Sequence, residues 1–437
     1  MYRNTAAVVM LGLCAQQAQA AGFIEDSKAT VTARNFYFNG DNRDGEANPS
    51  KQEEWGQGFI LKYQSGFTQG QVGLGVDALG LLGIKLDSGK GTAYNAGSAG
   101  GGQLFPSGSD NRAVDEFSSL GLTAKARISR TEARLGTLQP KLPVVVYNDG
   151  RLLPQTFEGG ELTSKEFKNL TLIGGKLEHA KARNSTSADS LSVAGANSRT
   201  GQRSNAFYYA GADYKVTPDL LAQYYFGNLD DFYKQHFVGL THQLQLPMGK
   251  LKTDLRYFYS DADGANGRQQ GRLQGYKLSG KAGTSGEVDN QTWSALFTYT
   301  LQGHSLGAGY QQVHGDSDFP FLNQGDGATA YLITNKQIGK FQRSGERTWV
   351  AQYGYDFAHL GLPGLTTYLS YLSGSGIDAA GSGSEWERDF SLGYVVPQGP
   401  LKGLGMTWRN ASLRSGVTSQ RDQDQNRLIL SYTVALF

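Results

Sequence analysis

One cysteine, 11 prolines and a nearly cancelled charge mark what this 437-residue chain does without; its 41 Lys and Arg stand against 39 Asp and Glu. The lone Cys14 falls in an N-terminal segment expected to be cleaved, so the rest of the chain folds without disulfide staples. Zinc or iron–sulfur sites built on thiolates are excluded on the same ground, and no cofactor is expected. The charge balance gives no basis for a nucleic-acid partner. No apolar run approaches the roughly 18 residues that a membrane helix requires. A chain this long would fill two or three soluble domains, yet no linker or break in composition divides it.

The N-terminus reads as a secretory signal peptide. Arg3 supplies the charge, Ala6–Leu13 the apolar core, and Ala18-Gln19-Ala20 the small-residue cleavage site. The expected division is a signal peptide over 1–20 and a mature domain over 21–437. Leu11-Gly12-Leu13-Cys14 resembles a lipoprotein box, but Leu13 is not the small residue that lipidation requires before the cysteine.

What is abundant sets the class: 59 glycines, 23 tyrosines and 21 phenylalanines with only 39% hydrophobic residues. An exported chain of this composition fits a transmembrane β-barrel, because lipid-facing and lumen-facing residues alternate and average hydropathy stays low. The alternation is visible. Leu120, Leu122, Ala124, Ala126 and Ile128 share one parity; Gly121, Thr123, Lys125, Arg127 and Ser129 share the other. The same period recurs at Phe59/Leu61/Tyr63, Val72/Leu74/Val76, Leu251/Thr253/Leu255/Tyr257, Trp293/Ala295/Phe297/Tyr299/Leu301, Trp349/Ala351/Tyr353/Tyr355 and Leu428/Leu430/Tyr432/Val434/Leu436. Aromatics near the segment ends suit girdles at the two membrane interfaces.

Short turn signals fall at Phe67–Gly70, Ser129–Thr131, Phe167–Asn169, Val216–Asp219, Leu246–Gly249, Gln302-Gly303, Leu362–Gly364 and Gly399-Pro400. Long polar stretches separate them, as at Gly40–Glu54, Asp87–Glu116, Asn184–Ser204 and Asp261–Asn290. About eight short turns and nine long loops give an antiparallel all-β barrel of about eighteen strands, both ends periplasmic, with sixteen as the other count.

Catalytic constellations do not assemble. The six histidines are dispersed, and Gly73-x-Gly75 and Gly100-Gly101-Gly102 open no helix. Ser109-Asp110-Asn111 lacks a partner Ser-x-x-Lys. The third outer connection stands apart: Gln139 to Gln155 holds three prolines around an apolar middle, with Pro143, Tyr147, Asn148, Asp149 and Arg151 in it. Such a loop is expected to fold into the lumen as a constriction; an extra edge strand or a cap on the mouth is the other reading. Arg34, Lys62, Lys125, Arg127, Arg409 and Arg427 take lumen-facing parity, since a cation facing lipid at the midplane costs roughly 2–4 kcal/mol. They form a track for anions or a generic solvated interior. Arg256 shares its face with Asp254.

The segments Phe23–Ser27, Arg34–Phe38, Ser65–Gly70, Gly73–Asp77 and Arg151–Thr156 resemble the OprD-type outer-membrane carboxylate channels. So do Val313–Asp316, Pro363–Thr366, Gly399-Pro400 and Arg427–Ile429, and the likeness covers essentially the whole mature chain. The resemblance implies an eighteen-stranded barrel narrowed by its third loop, with a ladder of Arg and Lys facing an acidic patch. On that likeness Arg34, Lys125, Arg127, Arg409 and Arg427 are the ladder, while Gly393 and Thr407 replace bases common in the family. The acidic patch would comprise Asp316, with Asp318 and Asp326 nearby, and Pro320 and Ala328 stand where acids are expected. A thinner patch argues against basic amino acids, and the loop resembles the branch associated with cyclic and aromatic carboxylates.

The expected function is therefore passive outer-membrane diffusion of small carboxylates, without enzymatic activity. Expected partners are outer-membrane lipid, carboxylate solutes and, at most, weakly associated copies in a homotrimer. A channel for basic amino acids or small peptides, a barrel hydrolase and an adhesin are the alternatives.

Overall fold

Strand alternation in the sequence becomes a closed wall in the computed structural model, which describes residues 22–43, 50–93, 102–193, 202–268, 286–322, 329–379, 381–418 and 420–437. Eighteen long strands form the barrel. The first six are β1 (Lys28–Asn42), β2 (Lys51–Gln64), β3 (Gly73–Ser88), β4 (Glu116–Ile128), β5 (Thr131–Leu138) and β6 (Thr156–Ser164). Then come β7 (Leu170–Lys181), β8 (Phe207–Thr217), β9 (Leu220–Leu229), β10 (Tyr233–Gln245), β11 (Lys250–Ala262) and β12 (Asp289–Leu301). The circuit ends with β13 (His304–His314), β14 (Arg347–Asp356), β15 (Leu365–Ser375), β16 (Gly381–Val395), β17 (Gly405–Val417) and β18 (Gln423–Ala435). Each pairs antiparallel with its neighbours, and β18 closes on β1 from Thr30 opposite Ala435 to Asn42 opposite Gln423. Closure is what makes strands viable in lipid, because no row of backbone N–H and C=O groups is left open to hydrocarbon.

Side-chain parity follows the sequence. Leu120 and Leu122 on β4 face outward, 69% and 56% exposed, while Thr123 and Lys125, of the opposite parity just beyond them, are buried inward. Aromatic rings gather outside at two levels. Tyr310 lies 4.7 Å from Trp349 and 5.3 Å from Trp293 near the outer rim. His304, Tyr355 and Phe357 form a second group beside the Gln302-Gly303 turn at the opposite end. Rings with a polar edge suit the two lipid–water interfaces.

All eight short connections fall where the turn signals lie. Leu301 pairs with His304 across Gln302-Gly303, whose φ angles are 47° and 84°. Positive φ at both central residues gives the twist that a two-residue hairpin needs. The outer connections are less uniform than the count of nine long loops implies. The fifth is only Asp230-Asp231-Phe232, and Asp231 accepts it at φ 66°.

Outer loop three (residues 139–155) turns into the lumen. Its Lys141–Leu142 and Val145–Val146 segments pair as a miniature hairpin. Val144 approaches Gly227 on β9, where a Cβ would stand 3.0 Å from the valine's own. Leu152 covers Gly58 on β2 and is fully buried. Full burial of such a side chain contributes about 1.5–3 kcal/mol, which explains why an apolar loop leaves bulk water. Loop seven (residues 315–346) enters beside it, and Thr329 forms a β-bridge with Val146. On the far side Glu387 of β16 accepts the backbone N–H groups of Gln337, Ile338 and Gly339 at 3.1, 2.9 and 2.5 Å. The lumen is thus filled from two sides, leaving a path between the loops and the β16–β18 wall.

Candidate functional site: a constricted, cation-lined path

A chamber of about 800 Å³ lies on the outer side of loop three. Six bases line it: Arg151 from loop three, Arg183 from the root of loop four, Lys336 and Lys340 from loop seven, and Arg409 and Arg427 from the wall. Asp149 and Asp389 are the two acids among the described lining residues. Arg409 and Arg427 sit directly opposite each other on β17 and β18. Arg427 is held in place, donating to the Gln337 carbonyl at 2.7 Å and to Gln425 Oε1 at 2.6 Å. Arg151 donates to Gln103 Oε1 at 2.9 Å and lies over the Phe38 ring at 5.0 Å. Arg183 donates to Asn148 Oδ1 at 3.2 Å. Lys336 reaches the Tyr368 hydroxyl at 3.3 Å.

Tyr147 lines this chamber and also a smaller one of about 270 Å³ on the periplasmic side, so its side chain stands between the two and a path from one to the other would run past it. Its backbone N–H donates to the Pro140 carbonyl at 2.9 Å, and the Lys141 ammonium lies 5.3 Å from the ring centroid. Pro143 is buried against the wall, while Asn148 and Asp149 present polar groups to the chamber. Lys62, Arg134 and Lys141 line the lower chamber with Asp77 and Glu161.

The residues expected as a ladder separate into distinct surroundings. Arg409 and Arg427 share the upper chamber. Arg34 instead pins loop three, pairing with Asp149 at 2.8 Å and donating to the Arg151 carbonyl at 2.8 Å. Lys125 is ion-paired with Asp77 at 2.6 Å and donates to the Ser65 carbonyl at 2.7 Å. It is buried in the wall rather than presented as a rung. Arg127 lies over the Phe67 ring at 4.1 Å, by a periplasmic cavity that also holds Glu25 and Asp26.

The acidic patch differs from expectation. Asp316 is exposed on loop seven, but Asp318 is fully buried and its Oδ1 accepts the Ser344 N–H at 2.9 Å, so it shapes the loop. Asp326 lies outside the described residues. Lumen acids sit instead on the strands. Glu161 accepts Tyr209 Oη–H at 3.0 Å, Asp213 accepts Tyr225 Oη–H at 2.9 Å, and Asp254 pairs with Arg256 at 2.7 Å. Arg183, Lys336 and Lys340 were not legible as site residues, because strand parity says nothing about loops; only the close spacing of Lys336, Lys340 and Arg343 marked loop seven as basic.

Within loop seven Glu346 is fully buried, and its carboxyl is held well above the usual range by that burial and by Glu385. Its Oε2 accepts the Arg343 N–H at 3.0 Å, and the Arg343 side chain stands 3.9 Å from Glu385.

Comparison with known proteins places this geometry. Residues 21–436 match the family model for outer membrane porins of the OprD family. The porin-like protein GalP of Pseudomonas putida is 38% identical over 422 residues, covering 96% of this chain and 95% of that protein. The crystal structure of Pseudomonas aeruginosa OccK8 (OprE) is 62% identical with a TM-score of 0.86, covering 95% of this chain and all of that one. That of Pseudomonas aeruginosa OpdK with vanillate is 36% identical with a TM-score of 0.83, over 95% and 100% of the two chains. The chain belongs to the OprD family of outer membrane porins, an integral β-barrel channel of the outer membrane and not an enzyme.

Proposed function

We propose that this porin passes small carboxylate-bearing solutes by passive diffusion, cyclic or aromatic carboxylates foremost, after residues 1–20 are removed on export. One observation carries the reading: among the described residues, six bases and two acids line the chamber immediately outside Tyr147. An excess of fixed positive charge at a narrowing draws anions to the point where the path is slowest. Basic amino acids would meet the same charge as a barrier. Tyr147 and Tyr368 offer ring faces and hydroxyls in that chamber. The vanillate bound in the OpdK structure is a ring carrying a carboxylate, which fits this choice of cargo.

Each base contributes only modestly. A pair of unit charges at 4 Å in water is worth about 1 kcal/mol, close to thermal energy. A passive channel needs that balance, since a solute must bind firmly enough to enter and weakly enough to leave. The test is reversal potential in asymmetric salt together with uptake of benzoate and of a neutral analogue into liposomes carrying the channel. Anion selectivity with faster benzoate entry is expected; equal entry of both would end the assignment.

A further inference from the structure

On the outside of the barrel the lower aromatic side chains give a reference level for each strand. Counted away from the periplasmic turns, Trp293 stands six residues above Tyr299 on β12, Tyr310 six above His304 on β13, and Trp349 six above Tyr355 on β14. Tyr310 touches both tryptophans, and the three rings mark the outer lipid–water interface. On β16 the lower ring is Tyr394, 41% exposed and beside Gly364 of a periplasmic turn. Six residues above it stands Arg388. A guanidinium takes the level that rings hold on the other three strands.

Arg388 faces lipid, not the lumen. Glu387 and Asp389 beside it are buried inward, while Tyr371 opposite it on β15 is 47% exposed and stacks on Trp386. The Arg388 Nη2 donates to Asn410 Oδ1 and, at 3.2 Å, to Ser412 Oγ on β17. Asn410 donates in turn to Asn426 Oδ1 on β18 at 3.0 Å, and the Trp408 indole N–H reaches the same oxygen at 3.3 Å. A hydrogen-bonded polar cluster thus interrupts the outer girdle across three strands. Nearer the rim, Arg414 is paired with Asp422 and Asp424. Among the described residues Arg388 has no such carboxylate, and its Nη1 makes no hydrogen bond.

We infer that the Arg388–Asn410–Ser412–Asn426 cluster is a docking site on the barrel exterior for a phosphate-bearing glycolipid of the outer leaflet. The neutral partners on β17 fix the guanidinium in place without cancelling its charge. Its free edge offers the planar donor fork that suits a phosphate. Tyr371, Trp386 and Trp408 flank the cluster and give the sugar and upper acyl carbons a surface to lie against. Basic groups at headgroup level are how a membrane protein recognises an anionic lipid. A second copy of the chain fits less well: a twofold axis through this patch would set one Arg388 against the other.

The experiment uses the full mature channel in mild detergent, with bisphosphorylated lipid A and its dephosphorylated form as probes and native mass spectrometry as the readout. The phosphorylated lipid is expected to bind about tenfold more tightly, and Arg388→Gln to cut that ratio about fivefold, the loss of roughly one charge contact. Arg388→Lys keeps the charge and retains most of the ratio. Lys402→Gln, in an exposed turn at the periplasmic end, leaves it unchanged. Unitary conductance in Arg388→Gln should equal that of the wild type, because the side chain lies outside the pore. If Arg388→Gln does not insert, Asn410→Ala carries the test, since it removes an acceptor that fixes the guanidinium and should lower the ratio about twofold. A wild-type ratio near one, or a ratio untouched in the inserted variant, overturns the site. A wild-type dimer that dissociates in Arg388→Gln assigns the surface to a second copy instead and also overturns it.

Discussion

Arg34 on the first strand and Asp149 on the third outer loop, 115 residues apart, are joined by an ion pair of 2.8 Å. The Asp149 side chain is 39% exposed, so the pair alone is worth little, about 1 kcal/mol or less. Arg34 also donates to the Arg151 carbonyl, tying the loop backbone to the wall. Removing the guanidinium severs both links. Arg34→Gln is expected to leave insertion intact, raise unitary conductance and add open-channel noise. Asp149→Asn should give a smaller effect in the same direction, because the link to the backbone survives. A conductance unchanged in both variants would mean that the apolar contacts of Leu152 and Val144 hold the loop unaided.

The position of Tyr147 makes a separate prediction. This residue lines both chambers, and the hairpin beneath it is anchored through other residues. Tyr147→Ala should widen the path without releasing the loop, raising conductance while noise stays at the wild-type level. Discrimination between benzoate and its neutral analogue should fall, because solutes then pass farther from the bases. Noise rising together with conductance would show that the ring is a structural prop.

Strand β18 carries the third. It hydrogen-bonds to β17 on one side and β1 on the other, so its loss opens two ladders to lipid. Each unsatisfied backbone group in hydrocarbon costs several kcal/mol. Deleting Arg427–Phe437 should abolish the heat-modifiable band on gels; a truncated protein that still inserts would refute closure as the condition for assembly.

The barrel was legible in the sequence because its rule is local. Alternation of Leu120, Leu122 and Ile128 against Thr123 and Lys125 needs no partner strand to be read, and neither do turns such as Gln302-Gly303. Lumen-facing bases were legible for the same reason, but not their use. Whether Lys125 is a rung or a paired group depends on Asp77, a diagonal neighbour on β3, and on Gly75, whose missing side chain leaves room for the lysine. Arg34 depends on a loop residue far along the chain. The juxtaposition of Tyr368, Ser391, Arg409 and Arg427 on neighbouring strands exists only in the register of four strands. Arg183, Lys336 and Lys340 reach the chamber from loops, where period two has no meaning. Asp318 looked like a mouth acid, and only packing reveals it as the buried acceptor of Ser344.

The buried acids of loop seven give the last prediction. Glu346 is enclosed with Glu385, Asp318 and Arg343, and one of its carboxyl oxygens, Oε1, has no hydrogen-bond partner among the described residues. Burial and the neighbouring carboxylate hold its pKa well above the usual value, so the folded loop favours the protonated acid. An unfolded or displaced loop would return it to about 4.3. Stabilisation from the proton is therefore complete below that value and is lost as pH rises through the raised folded value. Loop seven should be most firmly seated in acid and should loosen toward alkaline pH, with more frequent conductance fluctuations. Glu346→Gln keeps the shape and a neutral carboxamide, so it should hold the acid-form behaviour across the range. Arg343→Gln keeps the backbone N–H on Glu346 but removes the cation that stands 3.9 Å from Glu385 and favours the charged form of Glu346, so it should move the onset of loosening to higher pH. Single-channel recording from pH 5 to pH 9 distinguishes the cases. Fluctuations that increase toward acid, or a pH response preserved in Glu346→Gln, would place the titrating group elsewhere in the lumen.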